Sequence, residues 1–73
     1  MTPERATFLF DTTHHVLWGE EIAAEAGIPA EVVPAPPDRD AARCDLALET
    51  FAPRAPELAT LLREAGIIFY RGV

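Results

Sequence analysis

Apolar and polar positions along this chain change their spacing several times, and each change marks an element. Residues 6–10 (Ala-Thr-Phe-Leu-Phe) are short, uncharged and β-branched or aromatic, which predicts a central strand. Asp11, Thr12 and Thr13 follow with side-chain oxygens suited to capping a helix start. Over residues 14–26 the period lengthens. Val16, Gly19, Ile22, Ala23 and Ala26 fall on one helical face, while Glu20, Glu21 and Glu25 fall largely on the wet side. Gly27 is placed to end this helix in the left-handed conformation. Residues 28–33 predict a second strand, and Pro29 near its start makes it an edge strand.

The stretch 34–43 exceeds the usual hairpin loop of about 2–5 residues, and loops of that length are often functional. A single helical turn capped by Asp38 fits residues 38–43. Residues 45–51 alternate as a third strand with Leu46 and Leu48 inward. Pro53 and Pro56 lead into a second helix, Pro56 suiting its first turn, with Leu58, Leu61, Leu62 and Ala65 as the core stripe. Gly66 ends it, and residues 67–70 predict a fourth strand.

The order is therefore βαββαβ. The tetrapeptide Glu-Ala-Gly-Ile occurs at 25–28 and again at 64–67, each time where a helix hands over to a strand. That echo fits the pseudo-symmetry of a split βαβ arrangement. The expected fold is α+β: a ferredoxin-like two-layer sandwich with a four-stranded antiparallel sheet, formed by residues 1–73 as one small domain.

Size limits what this domain can do. A chain of 73 residues buries only about 60% of its unfolded surface, so self-association, for instance as a homodimer, or docking on another domain would supplement a thin core. The apolar fraction of 49% and charged fraction of 25% are those of a globular protein. A formal charge of −6, with six scattered basic residues, offers no basic stripe for nucleic acid. No apolar run approaches the roughly 20 residues that span a bilayer. The start, Met-Thr-Pro-Glu-Arg-Ala, sets an acid beside its base and does not read as a signal peptide. One unpaired cysteine suits a reducing compartment, so a cytoplasmic location is expected.

That cysteine, Cys44, is the main chemical clue. It follows the loop Pro34-Ala-Pro-Pro37 and Arg43, and it stands at the polar doorstep of the third strand rather than inside its apolar run. A lone thiol makes neither an internal disulfide nor a multi-cysteine zinc site, but it can accept an atom from a partner's sulfur. In a βαββαβ sheet, strands 1 and 2 run the same way. The connection from strand 2 to strand 3 thus emerges at the end where strand 1 meets helix 1, which sets Cys44 near Asp11, Thr12, Thr13 and His14. The helix start there contributes roughly 0.3–1 kcal/mol toward an anion. Asp45 opposes it by on the order of 0.7 kcal/mol at about 6 Å in water. The terms nearly cancel, leaving a modestly activated thiol suited to a carrier or acceptor rather than a fast oxidoreductase. The plainer reading is that Cys44 only packs.

Other candidates carry less. His14 and His15 are adjacent, so they point about 100° apart on a helix and do not chelate as an i, i+4 pair would. A Cys44–His14 pair is the sharper alternative to helix-start packing, but no metal or other cofactor is expected. Trp18 reads as a semi-exposed cover for the core, with partner contact as its sharper role. The Glu20, Glu21 and Glu25 face reads as solvated surface, or as a face for a basic partner. No phosphate loop, carboxylate pair or Ser-His-Asp order is present, and an independent enzyme ranks last.

Taken together, Phe10-Asp-Thr-Thr-His-His-Val-Leu17, Glu20, Glu25-Ala-Gly-Ile-Pro29, Val33-Pro-Ala-Pro36, and Cys44 before Leu46-Ala-Leu48 resemble the putative selenium/sulfur carrier protein-like family. The resemblance covers nearly the whole chain. It implies a strand ending before Ser/Thr-Thr, a helix carrying His and Glu, a Pro-x-Pro loop, and a cysteine opening the next strand. On that match Cys44 is the motif cysteine and acceptor thiol. Pro34 and Pro36 are the loop prolines, Thr13 and His14 the helix start, with Thr12 and Arg43 beside them. The implied partners are proteins: a sulfur or selenium donor and acceptor, or a small sulfur-carrier domain. The chain departs from the family pattern at Asp45, where Gly is usual, and at Pro37, where a basic residue often stands. A binding module with Cys44 incidental is the competing reading.

Overall fold

The computed structural model describes residues 4–35 and 45–72. Six main elements follow in the order β1 (Arg5–Phe10), α1 (Thr13–Glu25), β2 (Ala30–Pro34), β3 (Leu46–Phe51), α2 (Ala55–Glu64) and β4 (Phe69–Gly72), with a 3₁₀ turn, Ala52–Arg54, ahead of α2. The four strands form one sheet in the order β2-β3-β1-β4, every neighbouring pair antiparallel. This is the α+β ferredoxin-like layout expected from the sequence. β1 is central and β2 lies at an edge, as their compositions predict.

One face of the sheet carries the core. Ala6, Phe8 and Phe10 of β1 and Leu48 of β3 pack with Val16 and Ala23 of α1 and with Leu58, Ala59 and Leu62 of α2. Phe8 meets Phe69 edge-on at 5.2 Å between ring centroids, an arrangement favoured by the ring quadrupoles. α1 comes close because Gly19 has no side chain. A Cβ built there would lie 3.3 Å from Cδ2 of both Leu48 and Leu62. The one buried polar side chain among the described residues, Thr50, is satisfied: its hydroxyl donates to the Pro29 carbonyl at 2.6 Å, tying β3 to the entry of β2.

Both helices end in the same way. Gly27 and Gly66 have φ of +73° and +82°, the left-handed region where a Cβ is strained. At the first exit the Ile28 N–H donates to the Ala23 carbonyl and the Gly27 N–H to the Ala24 carbonyl. At the second, Ile67 donates to Leu62 and Gly66 to Arg63. These are paired Schellman caps, each with its isoleucine buried beneath the turn.

The repeated Glu-Ala-Gly-Ile is therefore a capping signature, and it corrects two boundaries. β2 starts at Ala30 rather than at 28, and β4 at Phe69 rather than at 67, because each isoleucine's N–H is already used by the cap. The helical turn expected over 38–43 lies outside the described residues.

Candidate functional site

The end of the sheet where β1 passes into α1 brings several expected residues together. Thr12 is the N-cap of α1, in extended conformation, and its Oγ1 accepts the His15 N–H at 3.2 Å. The first turn of α1 holds no carboxylate, so its positive end is not neutralised from within the helix. Thr13 opens the helix and His14 follows, both exposed. Pro34 closes β2 opposite Leu46 and is exposed as well. One residue on, the Ala35 N–H donates to the Asp45 carbonyl at 2.8 Å. The pairing Leu9↔Ala47, carried two residues further, aligns Asp11 with Asp45. β2, β3 and β1 thus present Ala35, Asp45 and Asp11 at one sheet end, beside the start of α1. Cys44, Pro36 and Arg43 lie outside the described residues.

One residue here, Tyr70, is not singled out by the sequence. Tyr70 of β4 donates its hydroxyl to Oδ2 of Asp11 at 3.4 Å. Oδ1 of the same carboxylate is buried and has no hydrogen-bond partner among the described residues, and nor does Nδ1 of His15. A buried acceptor left open can take a hydrogen bond or a proton from a group that approaches it. The contact of Tyr70 with Asp11 follows from the register. Leu9 pairs with Tyr70, and Asp11 lies two residues further along the same face of β1. Side-chain chemistry alone carries no sign of that neighbour.

His14 also belongs to a different surface feature. With Leu17, Trp18 and Glu21 it lines an open depression of about 360 Å³ on the outer face of α1. Its ring centroid is 6.2 Å from that of Trp18, and that of His15 is 6.3 Å from it. Among the described residues no cluster of three His, Cys, Asp or Glu side chains could hold a metal, and no helix is long and apolar enough to cross a membrane.

Fold and sheet-end geometry define a small ferredoxin-like α+β domain. Its sequence matches the family model described as putative Se/S carrier protein-like over residues 5–71, nearly the whole chain, and the chain belongs to that family. No curated protein and no solved structure matches it.

Proposed function

We propose that this protein is a sulfur or selenium carrier, or an accessory to such transfer, with Cys44 as the acceptor thiol. The observation that carries the reading is family membership across residues 5–71 in a chain with one cysteine. The carboxylate-free first turn of α1 supports it, since that end of a helix favours an anion.

The chemistry is a sulfur exchange. The Cys44 thiolate attacks the terminal sulfur of a donor protein's persulfide. A new S–S bond forms at Cys44 as the donor's S–S bond breaks, and the donor cysteine leaves as a thiolate. No oxidant is consumed. An acceptor thiolate repeats the step to unload the carrier, and a perselenide moves selenium in the same way. The protein itself is a protein-partnered carrier of the cytoplasm, not an enzyme with its own substrate pocket.

The test is intact mass after incubation with a cysteine desulfurase and cysteine, comparing wild type with Cys44→Ser. The expected result is a reducible gain of about 32 Da on wild type alone, passed on to an acceptor thiol. No adduct from either a sulfur or a selenium donor, on a thiol that a reactive probe does label, overturns the reading. The competing reading, a binding module with Cys44 incidental, draws on exposed Leu17 and Trp18. Under it, Cys44→Ser leaves partner affinity intact.

A further inference from the structure

α1 is apolar on two sides. Val16, Gly19 and Ala23 are buried against the sheet and α2. On the opposite side Leu17 is 52% exposed and Trp18 40% exposed. His14, Leu17, Trp18 and Glu21 are spaced i, i+3, i+4 and i+7, so they form one stripe along roughly 10 Å of helix. α2 shows no such second side, its apolar residues lying on the core face. Leu17 and Trp18 adjoin and are rimmed by His14 and Glu21, and an exposed apolar patch with a polar rim marks a contact site.

Charge indicates what the cover is. Glu20, Glu21 and Glu25 stand on α1, and the helix contains no lysine or arginine. A second copy laid face to face brings no lysine or arginine on its own α1 to answer these carboxylates, whereas a basic partner does. An open depression beside a helical stripe accepts the side-chain ridge of another helix.

We propose that the outer face of α1 docks a partner protein's helix whose apolar ridge is flanked by lysines or arginines. Leu17 and Trp18 meet the ridge, and Glu21 with its neighbours meets the cations. The patch is small, so the contact is weak and transient. The inference stands apart from the role of Cys44, because binding is read without any sulfur chemistry.

The test uses a dye-labelled synthetic helical peptide with a leucine ridge and lysine flanks, read by anisotropy and by the emission of Trp18, the chain's one tryptophan. Two matched peptides replace the lysines with glutamate or the leucines with serine. The expected result is saturable binding of the leucine–lysine peptide alone, with a blue shift of Trp18. Trp18→Ala and Glu21→Arg should each weaken it by about tenfold or more, while Ile68→Ser, an exposed apolar change on the β1–β4 side, should leave it unchanged. Glu21→Arg changes only a surface charge, so it reports even if Trp18→Ala fails to fold. Equal binding of the serine–lysine peptide, equal affinity in both α1 variants, or a concentration-dependent blue shift without peptide would each overturn the proposal. The last of these would assign the face to a second copy.

Discussion

The backbone N–H of Ile28 donates to the carbonyl of Ala23 at 2.8 Å, and Ile67 repeats this toward Leu62 at 3.0 Å. Each bond closes a helix over a glycine at positive φ and drops an isoleucine into the core. Alanine at either glycine forces a Cβ into the left-handed region at a cost of about 1–2 kcal/mol. Gly27→Ala and Gly66→Ala should therefore each lower stability by about that amount, and Asn at either site should cost less. Urea unfolding measures both. Unchanged midpoints would mean the exits relax into another turn.

Thr50 supports a second prediction. Thr50→Val keeps the shape of the side chain but strands the Pro29 carbonyl, which loses its 2.6 Å donor. Pro29 itself is exposed, so the loss is the net worth of one hydrogen bond, about 0.5–1.5 kcal/mol; Thr50→Val should be destabilised by that amount and Thr50→Ser by less. A Val variant as stable as wild type would show that water reaches the carbonyl.

Much of the fold was legible because it rests on local rules. The spacing of Val16, Gly19 and Ala23, the glycines at the helix exits and the uncharged run of β1 each name their element. What was not legible depends on pairing across the sheet. Leu9 and Ala47 are partners on the face away from the helices and are still buried, at 2% and 0% exposure. Alternation along one strand does not reveal that. The contact of Tyr70 with Asp11 is hidden for the same reason, since only the β1–β4 register brings them together. The strand starts at Ala30 and Phe69 were read two residues early because a β-favouring isoleucine served a cap instead.

Gly19 separates packing from propensity. A larger side chain collides with Leu48 and Leu62, both fully buried. Overpacking of a filled core costs about 1–3 kcal/mol, and Gly19→Leu should reach or exceed that range. Gly19→Ala gains up to about 1 kcal/mol of helix propensity, which offsets most of its milder crowding. Thermal melts of the pair should show a large drop for Leu and a small change of either sign for Ala. A mild Leu variant would mean that α1 shifts outward to make room.

The last prediction concerns Asp45, which is exposed, follows Cys44 in sequence, and accepts the Ala35 N–H through its backbone carbonyl. Because that bond uses main-chain atoms, a side-chain change leaves it in place. Asp45 is the next residue after Cys44 in sequence, and a like charge close by opposes formation of a thiolate. Removing the charge with Asp45→Asn should raise the thiolate fraction and speed alkylation by iodoacetamide about two- to threefold at neutral pH and low salt. The gain should shrink as added salt screens the charge. Asp45→Gly, which puts in the glycine that the family resemblance leads one to expect here, should show the same charge effect plus any gain from a freer backbone. If Asn and wild type react at one rate while Gly reacts faster, backbone freedom rather than charge limits this thiol. If neither variant differs from wild type, Asp45 does not restrain Cys44.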